Sequence, residues 1–404
     1  MRVIWGSDFH IDLKTDGIER SDEILDIIED MIDHGIKVHE ETKDEVVFVF
    51  GGDIFNTNNP SEKYITMFIF ILNRLRETGF KSFIMVGNHD EVSDPERVSC
   101  LNFVHELGEA YPNITLVDDI RTIKMGTFDT GPLYFTFLPH VSKALIQRNV
   151  DDGKLRRNIP TQTYINKKSE AVMKAVGQGS QHVVFSHLNV KGAHGGSEEN
   201  LLRKSTVYLP EVMLNPPIGY IEPDIIQGHI HSKDKIGNIN IVGSQFFCGF
   251  GERETEKYFL DLEINHAIGG GKHKFHYIPT NCVKFKQLEV SMIEDSTSFM
   301  DRDDVLDFLD EVDEDTIIKF DVTANIESAI TDWKGIMERI YKEYKPFHIK
   351  PIIPTVVKTR RVRSKKQKIG IPEKDAVQVF LKRNIRNDKN RLVRIYKRSL
   401  KYLN

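Results

Sequence analysis

The first 265 residues of the chain are predicted to form an α/β domain, because short β-branched and aromatic runs alternate with amphipathic stretches. Glycine and polar residues follow several of these runs, as is usual where a strand ends. A segment between the first two runs also carries apolar residues at helical spacing. The predicted strands are Val3–Ser7, Glu45–Gly51, Ser82–Val86, Leu133–Leu138, His182–Ser186, Ile225–Gln227, Ile239–Val242, Tyr258–Ile264 and Lys274–Ile278.

Two helices are predicted between the first three strands. Ser21 is expected to cap the first helix, which ends near Gly35. The second begins after Pro60-Ser61 and ends near Gly79, and its residues are apolar nearly all round. Such a helix is either deeply buried or partly used in self-association, and the sequence alone favours burial.

Four segments are predicted along the chain. Residues 1–280 form the first domain, and residues 281–350 form a small α+β unit with the order strand, helix, strand, helix, strand. Residues 351–372 are a basic linker, and residues 373–404 are a basic helical segment. The helices predicted in the small unit are Asp301–Val312 and Ile326–Tyr344.

The charge of the chain is unevenly distributed. Residues 351–404 hold 17 Lys and Arg against 3 Asp and Glu, a net charge of +14, so the other 350 residues carry −19. A basic end of this kind is expected to meet nucleic acid or an acidic protein surface. The start of the sequence does not resemble a signal peptide and no apolar run is long enough to cross a bilayer, so a cytoplasmic protein without membrane contact is expected.

Five strand ends carry side chains that can bind a metal ion. Residues two apart in an extended chain share a face, so an Asp-x-His or His-x-His pair can reach one ion. Each motif alone is weak, since an aspartate after glycine is often only a turn or a helix cap, but the five together are specific. Carboxylate, amide and imidazole without thiolate suit manganese, magnesium, iron or zinc. The candidate ligands are Asp8, His10, Asp53, Asn88, His187, His229 and His231.

In this order, the motifs resemble those of the calcineurin-like metallophosphoesterases. The resemblance implies a β-sandwich flanked by helices and a site for two divalent metal ions. It also implies that one ion is held by Asp8, His10, Asp53 and His231. The other would be held by Asp53, Asn88, His187 and His229, so that Asp53 bridges the two ions.

The same resemblance implies that His89 lies beside the scissile phosphate. There an imidazole can stabilise developing charge or protonate the leaving oxygen, with Asp90 available to orient it. The alternative for His89 is a structural role behind the metal ligands. Asn56 is a departure, because many cellular members of the subgroup described next carry a histidine three residues after the bridging aspartate, and this puts the detailed mechanism in doubt.

The stretch Val242–Glu252, followed by Lys257 and a strand, resembles nuclease subunits of the SbcD type that act in double-strand-break repair. The layout of the chain, with a nuclease core, a small capping domain and basic carboxyl-terminal helices, is similar to that of these subunits. Its compact size resembles that of phage recombination endonuclease subunits. The resemblance implies DNA as substrate, manganese or magnesium as cofactor, 3′ to 5′ exonuclease and endonuclease activity, and an SMC-like coiled-coil ATPase of the SbcC type as partner. It also implies pairing of two subunits through helices of the nuclease domain.

Several alternatives remain open from the sequence. The basic segment 373–404 is predicted to dock on the ATPase, whereas direct DNA binding or a solvated basic end are the other interpretations. The enzyme could instead be a phosphatase acting on phosphoproteins or a phosphodiesterase acting on cyclic nucleotides. A non-catalytic scaffold is the remaining hypothesis, and the complete ligand set argues against it.

Overall fold

The computed structural model describes residues 1–356 apart from 95, 129–130, 152, 154–158, 194–206, 253–255, 265–272, 294–297 and 326–330. The basic helical segment predicted at 373–404 lies outside the described residues, as does the predicted linker from residue 357 onward.

The described strands are β1 (Arg2–Gly6), β2 (Lys14–Thr15), β3 (Ile18–Glu19), β4 (Val46–Phe50), β5 (Lys81–Met85), β6 (Ile114–Val117), β7 (Arg121–Phe128), β8 (Gly131–Leu138), β9 (Gln181–Ser186), β10 (Asp224–Gln227), β11 (Asp234–Ile236), β12 (Ile239–Ile241), β13 (Tyr258–Glu263), β14 (Lys274–Pro279), β15 (Lys284–Met292), β16 (Thr316–Ala324), β17 (His348–Ile349) and β18 (Thr355–Val356). The described helices are α1 (Ser21–Thr42), α2 (Glu62–Thr78), α3 (Phe103–Leu107), α4 (Lys143–Asp151), α5 (Thr161–Val176), α6 (Glu211–Leu214), α7 (Asp303–Asp310) and α8 (Trp333–Tyr344).

Two six-stranded sheets face each other across an aromatic core. The first has the order β14-β13-β1-β4-β5-β6, and the second has the order β11-β12-β10-β9-β8-β7. Trp5 of the first sheet stacks on Phe185 of the second, with ring centroids 5.5 Å apart. Phe83 and Phe137 meet across the same interior at 4.7 Å. The two sheets therefore form a β-sandwich whose inner faces are closed by side chains of both.

Helices cover the outer face of each sheet. The core on the outside of the first sheet joins Phe48 to α1 and α2, for example through Ile28 and Phe68. The core on the outside of the second sheet joins Val184 to Tyr164 of α5. Burial on both faces explains why the parallel strands are almost continuously apolar. The predicted α/β fold, a sandwich flanked by helices, is confirmed.

The first helix differs from its prediction. It runs seven residues beyond Gly35, and Arg20 rather than Ser21 precedes its first turn. Gly35 lies inside the helix because the ring of Phe48 packs against it, where a β-carbon would come within 2.5 Å of that ring. A glycine that commonly marks the end of a helix is here a packing position.

The second helix has the predicted ends, with Ser61 before its first residue and Gly79 after its last. Phe68, Ile71 and Leu72 are fully buried. Phe70, in contrast, is 50% exposed, so burial accounts for most of the helix but not all of it. None of the helices within the described residues is both long and apolar enough to cross a lipid bilayer.

A third sheet follows the sandwich in the sequence. It contains β15, β16, β17 and β18, which pair in parallel with β16 at the centre. Helices α7 and α8 pack on it around a core that includes Phe320 and Ile340. The predicted order of strands and helices is present, although α8 begins at Trp333. Asp332 caps it, its side chain accepting a hydrogen bond from the amide of Gly335.

Candidate metal centre

The predicted ligands lie at one end of the sandwich, where the carboxyl ends of strands from both sheets meet. Strands β1, β4 and β5 are parallel neighbours in the first sheet, and β9 and β10 are parallel neighbours in the second. Loops at the carboxyl ends of parallel strands are the usual place for a site in such folds. The strands deliver Asp8 and His10 (β1), Asp53 (β4), Asn88, His89 and Asp90 (β5), His187 (β9), and His229 and His231 (β10).

Several of these residues have an unusual backbone conformation. Asp8, His10, Asp53 and His229 all have positive φ, at 60°, 44°, 51° and 69°. Non-glycine residues seldom adopt this region, and the cost of order 1 kcal/mol per residue is met where the surroundings fix the side chain for a function. Gly52 has φ 105°, and a β-carbon there would come within 2.6 Å of the His187 ring. The turns are therefore shaped to present side chains over the strand ends.

One group of donors is formed by Asp8, His10 and His231. The Nε2 atoms of His10 and His231 lie 3.3 Å apart, and Nε2 of His231 lies 3.8 Å from Oδ1 of Asp8. The Asp8 carboxylate accepts a hydrogen bond of 3.0 Å from the amide of His229. Its placement is thus fixed by the turn that carries the histidines of the opposite sheet.

A second group is formed by Asp53, His187 and His229. Nε2 of His187 lies 3.1 Å from Oδ2 of Asp53 and 3.2 Å from Oδ1 of Asn88. The other ring nitrogen of His187, Nδ1, donates to the carbonyl of Gly51 at 2.7 Å, which leaves Nε2 directed at the cluster. The carboxylate of Asp53 belongs with His10 and His89 in a further group, so it lies between the two sets of donors.

Burial governs the charge of the cluster. Asp8, His10, Asp53 and His187 are at most 2% exposed. Burial lowers the pKa of His229 to about 3 and that of His10 well below its usual value, so both rings are neutral. Burial alone would lower the pKa of His187 as well, but the Asp53 carboxylate raises it to about 9. His10 and His229 therefore offer neutral imidazole nitrogens, and a bound metal ion would take the place of the proton that Asp53 favours on His187.

His89 lies at the accessible side of the cluster, where it and Asn88 are half-buried. Its ring is 4.8 Å from that of His10, measured between centroids. Nδ1 of His89 donates to the carbonyl of Asn56 at 2.8 Å, and its amide donates to Oδ1 of Asp53 at 2.8 Å. With Nδ1 protonated and occupied, Nε2 is the ring atom left to act on a substrate.

The predicted contact between Asp90 and His89 is replaced by another. The buried Asp90 carboxylate accepts hydrogen bonds from the amides of Gly87 at 2.9 Å and Phe55 at 3.1 Å. It therefore ties the loop after β5 to the loop after β4, which carries Asp53. The carbonyl of Asn56, rather than Asp90, orients the His89 ring.

One polar residue beside the cluster was not predicted. Oδ1 of Asn189 lies 3.1 Å from Nε2 of His229. The sequence held a signal for it, because His187-x-Asn189 repeats the two-residue spacing used for the other pairs. An amide oxygen here adds to the hard donors around the site.

Two supporting residues, Gln245 and Asp12, could not be predicted from the sequence. The side chain of Gln245 accepts a hydrogen bond from the amide of Ser7 at 2.7 Å, although 238 positions separate them. The carboxylate of Asp12 accepts from the amide of Asn56 and, at 2.8 Å, from the hydroxyl of Thr57. Asp12 thereby holds the turn whose carbonyl orients His89.

The donor set fits a pair of divalent ions. Carboxylates, an amide and imidazoles converge from both sheets, and Asp53 has neighbours on both sides. These residues would hold two adjacent ions, which would supply an activated water molecule and neutralise phosphoryl oxygens.

Two known proteins and one solved structure are similar to parts of this chain. One relative is SbcD of the nuclease SbcCD from Staphylococcus epidermidis, 22% identical over 273 residues that cover 66% of this chain and 68% of that protein. Another is the DNA double-strand break repair protein Mre11 of Saccharolobus solfataricus, 32% identical over 73 residues, or 18% of either chain. The crystal structure of phosphopantetheinyl hydrolase (PptH) from Mycobacterium tuberculosis covers 60% of this chain and 89% of its own at 14% identity and a TM-score of 0.32, too distant to bear on function.

The calcineurin-like phosphoesterase family matches residues 1–275, which is more than half of the chain. Members of this family hydrolyse phosphoesters with the help of divalent metal ions. The ordered motifs of the sequence, the flanked β-sandwich and the clustered carboxylates and imidazoles all agree with that match. This chain belongs to the calcineurin-like phosphoesterase family.

Proposed function

We propose that this protein is a manganese-dependent DNA nuclease with 3′ to 5′ exonuclease and endonuclease activity. In the same proposal it is the nuclease subunit of a complex with an SMC-like coiled-coil ATPase. The complex would act in DNA break repair, recombination or replication. The observation that carries the proposal is the buried two-sided donor cluster around Asp53, in a chain whose relatives include a nuclease subunit and a DNA break-repair protein.

The proposed ligands divide into two sets that share Asp53. Asp8, His10, Asp53 and His231 would hold one manganese ion, and Asp53, Asn88, His187 and His229 would hold the other. The 3.3 Å approach of His10 to His231 and the 3.1 Å approach of His187 to Asp53 support this division. When bound, the ions would supply a hydroxide nucleophile and charge neutralisation at the phosphate.

His89 is the proposed catalytic residue. It is half-buried beside the cluster, with Nδ1 donating to the Asn56 carbonyl and Nε2 left for the substrate. When protonated, Nε2 can donate to the leaving oxygen or to a phosphoryl oxygen, a contribution of about 10²–10⁴ in rate for a well-placed acid. Asp90 is proposed to act through the backbone, by holding the loops that carry Asp53 and His89 together.

Labelled double-stranded DNA tests the proposal most directly. The full chain is incubated with DNA carrying a label at either end, with manganese or with EDTA, alone and with the ATPase subunit. Release of nucleotides from the 3′ end that requires manganese and disappears in Asp53→Ala supports the nuclease. Asp22→Asn, which alters an exposed carboxylate on α1, serves as the matched control.

The alternatives give different results in the same assay. Strong turnover of a phosphomonoester or a cyclic nucleotide with no effect on DNA would replace the nuclease by a phosphatase or phosphodiesterase. If the protein binds manganese but hydrolyses none of these substrates, the non-catalytic scaffold would be the remaining hypothesis.

A homodimer is part of the proposal, and α2 is the surface proposed for it. Phe70 projects from this helix with half of its surface exposed, in contrast to the buried Phe68. A Phe70→Glu variant should remain folded and become monomeric in light scattering at concentrations where the original protein is a dimer. A monomeric original protein would remove the dimer from the proposal.

The basic residues 373–404 are proposed to bind the ATPase coiled coil. A chain that ends at residue 372 should lose the ATPase in a pull-down assay while it retains manganese-dependent hydrolysis of a small phosphodiester. Retained binding of the ATPase would contradict the docking role, and loss of DNA binding alone would favour a DNA-binding arm.

A further inference from the structure

A buried ion pair lies directly behind His231. One ring nitrogen of His231, Nε2, faces the cluster, 3.8 Å from Oδ1 of Asp8. The opposite nitrogen, Nδ1, faces Oε1 of Glu252 at 3.6 Å. The Glu252 carboxylate is fully buried, and its other oxygen is 2.5 Å from the ammonium group of Lys257, which is also buried.

The ion pair also holds the main chain around His231. The ammonium group of Lys257 donates to the carbonyl oxygen of His231 at 2.9 Å and to the hydroxyl of Ser244 at 3.3 Å. Glu252 accepts a hydrogen bond of 3.2 Å from the amide of Cys248. Both the ring and the backbone of His231 therefore contact the same pair of charges.

Such a pair is costly to bury. Removing two ions from water costs several kcal/mol each, and packed apolar side chains often stabilise a fold as well. Stability alone is therefore a poor reason for two charges at this position. Glu252 faces the ring of His231 and Lys257 holds the carbonyl of the same residue, which indicates a role in placing His231.

A third metal site is the competing explanation. Donor atoms of His231, Cys248 and Glu252 lie within 4.8 Å of one another. However, the ammonium group of Lys257 already lies against the Glu252 carboxylate, so a metal ion there would meet a positive charge at close range. The group is better described as an internal ion pair than as a cation site.

We propose that Glu252, held in place by Lys257, is a positioning residue for His231. When an ion is bound, this carboxylate would favour a proton on Nδ1 of the imidazole and so leave the lone pair of Nε2 for the ion, and its position behind the ring directs Nε2 toward the cluster. This inference rests on the proposed function, in which His231 is a metal ligand. It gives a physical role to Glu252 and Lys257, which close the stretch that begins at Val242.

The test is a manganese titration of metal-free full-length protein by calorimetry. The original protein should bind two ions. Glu252→Gln, which keeps the shape of the side chain, should weaken one of the two affinities by about 10–100-fold, as loss of such support commonly does, and leave the other unchanged. His231→Gln should weaken the same affinity. Glu256→Gln, an exposed carboxylate nearby, should change neither.

A double variant separates positioning from a purely structural role. Glu252→Gln alone leaves Lys257 buried without a carboxylate beside it, so the melting temperature of this variant should fall. Replacing Lys257 by Gln as well should restore much of the melting temperature but not the affinity. If the double variant recovers both, or if Glu252→Gln binds both ions normally, the inference is overturned. If the original protein binds no manganese, the proposed function fails instead.

Discussion

The Nε2 atoms of His10 and His231 lie 3.3 Å apart, although the two residues are separated by 221 positions in the sequence. Two neutral imidazole nitrogens that face each other at this distance repel through their lone pairs unless a proton or a cation lies near both. Burial holds the pKa of His10 well below its usual value, whereas Cys248, Glu252 and Asp8 raise the pKa of His231 well above its usual value in spite of burial. Without a metal ion, His231 therefore holds a proton at this contact, and a bound cation would take its place.

Manganese should therefore stabilise the folded protein. An ion that binds only the folded state adds about 2.7 kcal/mol to the free energy of unfolding at 100 times its dissociation constant. The rise in melting temperature should saturate with manganese, reverse with EDTA and vanish in Asp53→Asn. Asp22→Asn should behave as the original protein does. A melting temperature that is the same with and without manganese would contradict the proposed metal site.

The clustering of the proposed ligands could largely be predicted from the sequence, because each of these residues follows a strand within a few residues. β1 with Asp8 and β4 with Asp53 show this most clearly. The apolar runs predict where the strands lie, and the glycines indicate where they end. Parallel neighbouring strands then present the residues after their ends at the same edge of the sheet. Local spacing thus carried most of the information on the site.

Contacts between distant segments could not be predicted in this way. Nothing in the local sequence relates Gln245 to Ser7 or Glu252 to His231, because only the folded chain brings the segments of each pair together. Strand β7, with a bulge between Lys124 and Gly126, was not predicted either. Its residues are mostly half-buried and mixed in polarity, so a two-residue period is weak there.

Gly87 should be intolerant of even a methyl group. A β-carbon at this position would lie 2.1 Å from Oδ1 of Asp53 and 2.2 Å from its amide nitrogen. Gly87→Ala should displace Asp53 and reduce manganese affinity and hydrolysis by at least about 10-fold, in line with loss of support around a metal ligand. Gly249, where a β-carbon meets nothing within 4 Å, is the matched control. Equal activity of Gly87→Ala and Gly249→Ala would show that the loops that carry Gly87 and Asp53 can move to accept the added methyl group.

Substitution of Asp12 should lower kcat for hydrolysis without changing the affinity for manganese. Its carboxylate holds the amide of Asn56 and the hydroxyl of Thr57, and the Asn56 carbonyl in turn orients His89. Asp12→Ala should lower kcat about 10-fold, since a misplaced acid loses part of its contribution. Asp12→Asn, which still accepts one hydrogen bond, should recover part of the loss. A change in manganese affinity would show that the turn supports the ligands instead.

His182 should make the fold sensitive to mild acid. It is buried at the start of β9, where Nε2 lies 2.7 Å from the hydroxyl of Thr136, and burial lowers its pKa to about 4. The unfolded chain takes up a proton near the ordinary histidine pKa of about 6.5, while the folded chain resists it. The contribution of His182 is therefore complete above about pH 6.5 and is lost as the pH falls toward 4, by on the order of 3 kcal/mol.

Urea unfolding of the metal-free protein at several pH values between about 7.5 and 4.5 measures this effect, since that window brackets the ordinary histidine pKa. His182→Gln should flatten the fall in the free energy of unfolding with decreasing pH, because glutamine does not titrate. His276→Gln, at an exposed position on β14, should leave the steep fall in place. Identical pH profiles for His182→Gln and the original protein would mean that His182 already accepts its proton in the folded state.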